Sequence, residues 1–447
     1  MESFAFSCHL GKYLVKISLG NFCFKNQNKR VFGYCSDRQN CTSGFCYLEV
    51  EDRGDCLVFK NDIFGGYRLY YWEAKEVIYV TDDIFNFLKV EDCSKFEENE
   101  YEEKFYRRHG YTSGDSTFYK NIKKMPPAGM LEISATGYKV TTVCDFARIP
   151  RTPDERQLRI AVESCVERGL LPLKNNGKKN ILCYSGGVDS SYIAQKLVAL
   201  EIDFEAVYFL DRKIGTMERS MRVAREKAKK LGKELLVIDI TDKQEENIEE
   251  AIRRKMFFDR HYSKIHFYGV AELVKKWGAD IVMINGQNSD AILSFGPSET
   301  KLTSYLKRYL LYGNSHFVKS LLAKIISATF KINLVYPPHT VEKLISFYDN
   351  FKYCLLYDGR DKEYTGYLKE KILSFQEKFN FSDLNNFYMY LKLFSYVQGS
   401  DNQIVIQSAK HWGVQLVMPF TNSDLVKATL KYKDDRKELH KPKYVLK

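Results

Sequence analysis

No stretch of the 447 residues stays apolar over roughly 18 positions, so nothing reads as a membrane-spanning helix. The opening residues, MESFAFSCHLGKY, lack a basic stretch followed by an apolar one, which argues against a secretory leader. Zinc-module spacing is missing as well. Among 11 Cys the densest group is Cys35, Cys41 and Cys46, whose gaps fit no such module, and His9 is the only His before residue 100. An odd number of scattered thiols without a leader reads as a reduced, cytoplasmic protein. Internal repeats, low-complexity segments and a long basic tail are all lacking, which excludes solenoid arrays and makes nucleic acid an unexpected partner.

The composition that remains is that of a globular protein, with 45% apolar and 28% charged residues. The length exceeds what one ordinary core takes up, so two domains are expected. A formal charge of +11 favours anionic ligands such as nucleotides, phosphorylated sugars or acidic surfaces. The 31 Tyr and 30 Phe point to no function by themselves.

Residues 1–147 read as short strands, among them Tyr13–Leu19, Cys56–Phe59, Leu69–Trp72, Val77–Val80 and Met130–Ile133, punctuated by Gly, Asn and Asp. The polar stretch Arg148–Asp154 holds two prolines and reads as a linker into a helix starting near Pro153. From 152 to 447 the pattern changes to strand, loop and helix in alternation. Strands are expected over Asn180–Tyr184, Phe204–Leu210, Glu234–Ile240 and Asp280–Ile284. Helices are expected over Tyr192–Leu200, Met217–Leu231 and Val270–Trp277. Such alternation implies an α/β doubly wound parallel sheet. Residues 300–400 read as mainly helical. Within them, Phe317–Val335 fits either a packed helix of an α-helical cap or one lying on a membrane or lipid-linked substrate.

The chemistry concentrates in Ser185-Gly-Gly-Val-Asp-Ser-Ser191, which follows an apolar strand and opens a helix. Two glycines permit a tight turn that presents backbone N–H groups at a helix N-terminus, a site for phosphate or pyrophosphate. Ser185, Ser190 and Ser191 add hydroxyl donors. Asp189 repels phosphate, and its natural work is to hold a Mg²⁺ that bridges the phosphates. The segment is neither a Walker loop nor a GxGxxG fingerprint. An ordinary glycine-rich turn is the competing reading.

This loop resembles the pyrophosphate loop of the ATP pyrophosphatase superfamily, and most of the chain resembles the asparagine synthetases within it. Lys60-Asn-Asp-Ile-Phe-Gly-Gly-Tyr-Arg-Leu-Tyr-Tyr71 is similar to the family's "RDxxGxxPLYY", and the segment 110–127 to the stretch before the synthetase domain. Asn285-Gly-Gln-Asn-Ser-Asp290 stands where the family has "SGEGSDE", and Gly413–Phe420 where it has "GVEARVPF". Lys441–Lys447 resembles a lysine-bearing C-terminal segment. The resemblance implies an α+β, Ntn-like amidotransferase sandwich over 1–147 and an ATP-binding, adenine nucleotide alpha hydrolase-like ligase domain with a helical C-terminal part over 152–447.

It further implies that ATP and Mg²⁺ bind here. Ser185, Gly186, Gly187, Asp189, Ser190 and Ser191 would take the pyrophosphate end. Cys183 and Leu210 would meet adenine and ribose, with plain strand core as the alternative. Asn285 and Gly286 would contact the nucleotide through the backbone. Asp290 would share Mg²⁺ with Asp189. Lys443 would stabilise charge during reaction, unless it belongs to a frayed tail.

Two departures matter. Residue 2 is Glu, where glutamine-dependent members carry the nucleophilic Cys, so glutaminase chemistry is not expected. Nitrogen must then come from ammonia, a substrate amine or another subunit, and a homodimer stays open. Gln287 replaces the family's catalytic Glu; it cannot act as a base but can orient a substrate. Gln415 and Val417 replace the Glu and Arg of the Pro-Phe segment. These changes argue against aspartate and for another carboxylate, such as a uronic acid in polysaccharide biosynthesis or a lactam precursor. The expectation is therefore an AMP- and pyrophosphate-forming amide ligase, against two alternatives: ammonia-dependent asparagine synthesis, or a nucleotide-binding scaffold without catalysis. A tRNA-modifying ligase is less expected, because no RNA-binding module is visible.

Overall fold

The computed structural model describes residues 14–18, 29–33, 47–74, 77–82, 96–109, 115–142, 148–243, 260–293, 316–330, 400–434 and 443–447, with a few single positions between them. The first part contains strands β1 (Leu14–Ser18), β2 (Lys29–Gly33), β3 (Tyr47–Asp52), β4 (Cys56–Asn61), β5 (Tyr70–Ala74) and β6 (Val77–Thr81). Helix α1 (Glu100–His109) and strands β7 (Lys123–Lys124), β8 (Gly129–Ser134) and β9 (Gly137–Thr142) follow. They build two antiparallel sheets, ordered β1-β6-β5-β7 and β2-β3-β4-β8-β9. Strand β8 shows why: Leu131 and Ile133 are fully buried while Met130, Glu132 and Ser134, which alternate with them, are not, the period of two that a one-faced strand requires. Tyr71 of β5 and Tyr138 of β9 meet edge to face, 5.8 Å between centroids, joining the two sheets.

Asp62 shapes the turn after β4. Its carboxylate accepts the backbone N–H groups of Phe64, Gly66, Tyr67 and Tyr47 at 2.9–3.2 Å. Burial pushes its pKa up to about 6, against the opposing pull of those N–H groups.

Past the proline-bearing segment, helix α2 (Glu155–Leu170) starts where the sequence suggests. Asp154 caps it, its side chain accepting the Gln157 N–H at 3.0 Å. Then come β10 (Lys179–Cys183), α3 (Val188–Ala199), β11 (Glu205–Leu210), α4 (Met217–Lys230), β12 (Leu235–Asp239), α5 (Arg260–Trp277), β13 (Ile281–Ile284) and α6 (Ser289–Leu293). Helices α7 (His316–Phe330) and α8 (Ser400–His411), strand β14 (Gln415–Val417) and helix α9 (Ser423–Tyr432) complete the described order.

The five strands from β10 onward are all parallel, in the order β12-β11-β10-β13-β14. Ile181, Leu182, Val282, Met283 and Ile284 have no exposed surface, as expected for strands covered on both faces. The chain runs outward from β10 through β11 to β12, then crosses to the other side of β10 for β13 and β14. The reversal lies between β10 and β13, and a crevice at the C-terminal ends of such strands is where open α/β sheets bind ligands.

Helix α5 extends further than periodicity predicts, beginning at Arg260 rather than near Val270. Phe267 packs against His411 and Trp412, and the Trp412 indole donates to the Phe267 carbonyl at 3.0 Å. This tertiary contact stabilises helical turns that local sequence does not mark. The N-terminal sheets also touch this half of the chain. Lys410 pairs with Asp82 at 3.0 Å, both nearly buried, and Gln403 donates to the Gly66 carbonyl at 3.0 Å. No described helix is long and apolar enough to cross a membrane. Of the segment 317–335, residues up to 330 are helical; 331–335 and most of 300–400 lie outside the described residues.

Candidate functional site

Ser185–Ser191 joins β10 to α3 at the reversal point. Gly186 adopts φ +69°, a left-handed conformation that favours glycine. A Cβ there would also lie 2.7 Å from the Cα of Ala224 in α4, so two independent constraints demand glycine. Gly187 begins α3 in extended conformation, and no side chain caps the helix. The N–H groups of its first turn are therefore left for an external acceptor, and the positive end of the helix dipole lies with them.

The hydroxyls divide the work differently from the sequence expectation of three donors. Ser190 is buried, its Oγ 3.2 Å from Ser185 Oγ and 3.4 Å from the Gly187 carbonyl. Ser185 Oγ also accepts the Gly187 N–H at 3.2 Å, so these two serines brace the turn. Ser191 Oγ lies 3.4 Å from the Tyr184 hydroxyl.

The loop after β13 packs directly on this turn. A Cβ added to Gly286 would lie 3.4 Å from Asp189 Cβ and 3.6 Å from the Ser190 nitrogen, so the two loops are in contact. Asn285, buried, extends the strand with its N–H to the Val417 carbonyl at 2.9 Å, while its Oδ1 accepts the Gln287 N–H at 2.9 Å. Gln287 is thereby fixed by its backbone on the short connection to α6. Asn288 has φ +73°, which Asn tolerates better than most residues. Its Nδ2 donates to Thr421 Oγ1 at 2.7 Å, tying this loop to the Pro-Phe segment, and its buried Oδ1 has no partner among the described residues.

Lys443 closes the site from the far end of the chain. Its Nζ donates to Asp189 Oδ1 at 2.7 Å and Oδ2 at 2.6 Å, to Ser289 Oγ at 2.9 Å, and pairs with Asp290 Oδ1 at 2.7 Å. The segment bearing it is no frayed tail. Tyr444 and Val445 are buried. Arg159 of α2 donates to the Tyr444 carbonyl at 2.8 Å and the Val445 carbonyl at 2.9 Å, and the Asp434 N–H reaches the Tyr444 hydroxyl at 3.0 Å. Lys443 itself takes a left-handed conformation, φ 51°, that turns the chain at the site.

Asp189 and Asp290 thus converge on one cation. Among the described residues no cluster of three or more His, Cys, Asp or Glu forms an all-protein metal cage. That cation is the Lys443 ammonium; Asp189 and Asp290 are also the residues that would hold a Mg²⁺ here, which binds nucleotide with only one or two carboxylates.

Cys183 and Leu210 behave mainly as core. Although Cys183 as a whole is only half-buried, burial pushes its thiol up to about 12, so it is no nucleophile at neutral pH. Leu210 is fully buried and its carbonyl accepts the Ile240 N–H at 2.9 Å. Three residues that sequence reasoning passed over join the site: Asn288, Arg159 and Lys227. The last donates from α4 to the Gly186 carbonyl at 2.6 Å. Asn288 lies within the marked segment Asn285–Asp290, but no local signal marks Arg159 or Lys227, because each acts on a residue distant in the chain.

No family model matches the chain, and no curated protein matches it either. Solved structures are similar in part, among them the three that follow. An NMN synthetase from Francisella tularensis is 12% identical over 51% of this chain and 97% of its own, with a TM-score of 0.24. A tRNA thiolase, NcsA, from Methanococcus maripaludis with its 4Fe-4S cluster is 13% identical over 54% of this chain and 80% of its own, TM-score 0.26. A glutamine phosphoribosylpyrophosphate amidotransferase from B. subtilis complexed with ADP and GMP is 10% identical over 56% of this chain and 50% of its own, TM-score 0.15. Scores this low assign no role to any residue. The parallel sheet with its site at the reversal between β10 and β13 therefore rests on this chain's own geometry.

Proposed function

We propose that this protein is an ATP-dependent amide ligase that adenylates a carboxylate and passes the acyl group to ammonia or an amine. The observation that carries the reading is the cluster of Lys443, Asp189, Asp290 and Ser289 beside an uncapped helix N-terminus at the sheet's reversal point. A scaffold that only bound nucleotide would have no need for a lysine brought from the chain's end onto two carboxylates.

In this reading the N–H groups of 188–190 hold the β- and γ-phosphates of ATP. Mg²⁺, held by Asp189 and Asp290, would neutralise phosphate charge. A substrate carboxylate oxygen attacks the α-phosphorus and pyrophosphate leaves, giving an acyl-adenylate. Lys443 places a positive charge where negative charge builds on the phosphate. The nitrogen nucleophile then attacks the acyl carbon, AMP departs and the nitrogen loses a proton. Splitting the reaction this way supplies the leaving group that a bare carboxylate lacks. Gln287 orients the acyl substrate by hydrogen bonding. The nitrogen enters as ammonia, as a substrate amine or from another subunit. A uronic acid or another carboxylate distinct from aspartate suits the altered Gln287, Gln415 and Val417.

Pyrophosphate release from Mg-ATP, measured against aspartate, uronic acids, nucleotide-linked uronic acids and short peptides with ammonia or an amine, tests this. Release with one class and its loss in Asp189→Ala supports the ligase. Mg-ATP binding without release for any carboxylate would favour the scaffold.

A further inference from the structure

Helix α4 is the wall against which the phosphate-binding turn is built, since Ala224 leaves no room for a Cβ at Gly186. One turn further along α4, the Lys227 ammonium reaches the Gly186 carbonyl at 2.6 Å. That single neutral acceptor uses one of its three N–H donors. Unlike Lys443, Lys227 pairs with no carboxylate among the described residues. Among the described residues, the other charges in contact there are the carboxylates of Asp189 and Asp290, against the ammonium of Lys443. A pyrophosphate group carrying several negative charges gains from a further fixed cation beside the turn.

We propose that Lys227 is a phosphate-binding residue of this site, holding the β- and γ-phosphates of ATP and the departing pyrophosphate with the N–H donors that the Gly186 carbonyl leaves over. This inference rests on the reading of Ser185–Ser191 as a pyrophosphate site. It adds to that site a residue outside the loop, 41 positions away from Gly186 in sequence. The competing role is purely structural, a brace on the Gly186 carbonyl. The two differ in what they do to ligands. A brace stabilises the fold whatever is bound, whereas a phosphate contact distinguishes pyrophosphate from AMP and weakens with salt.

The experiment is calorimetric titration of the full chain with inorganic pyrophosphate and, separately, with AMP, both with Mg²⁺ and at two ionic strengths. Wild type, Lys227→Gln, Lys227→Arg and Asp189→Ala are compared, each with its thermal midpoint. Loss of a charge-assisted contact should weaken pyrophosphate binding about tenfold or more in Lys227→Gln. AMP affinity and the midpoint should hold, the salt dependence should flatten, and Lys227→Arg should restore most of the affinity. Unchanged pyrophosphate affinity in Lys227→Gln, while Asp189→Ala alters it, overturns the role of Lys227 and leaves the ligase reading standing. Equal losses for pyrophosphate and AMP with a lowered midpoint overturn it in favour of the brace. No pyrophosphate binding by wild type overturns both.

Discussion

Lys443 and Asp189 lie 254 residues apart in the chain, yet the lysine ammonium contacts both carboxylate oxygens, at 2.7 and 2.6 Å. Asp290 meets the same ammonium. A divalent cation drawn to these carboxylates must take them from Lys443, so metal binding and lysine release are coupled.

Replacing Lys443 by Met should therefore act in opposite directions on two readouts. Mn²⁺, as a probe for Mg²⁺, should bind the nucleotide-free protein more tightly, because its competitor is gone. Pyrophosphate release should fall by roughly a hundredfold or more, the usual cost of removing a group that faces developing charge. Electron paramagnetic resonance of free Mn²⁺ and a coupled phosphate assay read the two. Weaker Mn²⁺ binding in the variant would sink the competition.

Arg159 holds the carbonyls of Tyr444 and Val445 and so sets where Lys443 stands. Arg159→Ala should speed hydrogen exchange in 444–447 and lower turnover, with ATP affinity little changed. In a Lys443→Met background the same substitution should cost almost no further activity, since both act through one group. Additive losses in the double variant would show that Arg159 works by another route.

Gly186→Ala should disable the site outright. The variant meets left-handed strain and the backbone of α4 together, a destabilisation of about 3 kcal/mol or more by urea unfolding. Gly232 shares the φ of +69° but has open space around it, so Gly232→Ala should cost only about 1 kcal/mol. Equal costs would mean that contact with Ala224 contributes nothing.

Two desolvated groups give stability a pH dependence of opposite signs. Although His266 as a whole is only partly buried, desolvation of its ring lowers its pKa from 6.5 to about 4, and its buried Nδ1 has no partner among the described residues, so the folded state binds fewer protons than the unfolded one. Its contribution is complete above 6.5 and is lost as pH falls towards 4. Asp62, raised from 3.8 to about 6, contributes fully below 3.8 and loses that contribution as pH rises through 6. Each is worth roughly 3 kcal/mol at most. Between pH 4 and 6 they largely cancel in the wild type. Unfolding series should show His266→Phe losing stability as pH rises across that window, and Asp62→Asn gaining it. Parallel slopes in the three proteins would refute the assignment.

The sequence alone determined what rests on neighbours in the chain. Apolar runs and period-two alternation place strands at β8 and β10 because burial on one or both faces is written locally. Glycine fixes the end of α4, and Asp154 the start of α2. Ser185–Ser191 reads as a candidate phosphate loop, and its strand–turn–helix form is legible, because strand, glycines and helix are contiguous. Tertiary structure alone decided the rest. Strand β14, three residues long, is too short to show a period and exists because β13 accepts it. The length of α5 comes from Phe267 meeting His411 and Trp412. Above all, Lys443 becomes a site residue, and Lys227 and Arg159 enter the account, only once the sheet reverses at β10 and the chain's end docks on α2. Contacts between side chains so far apart depend on how whole elements pack, and no local pattern of residues encodes that.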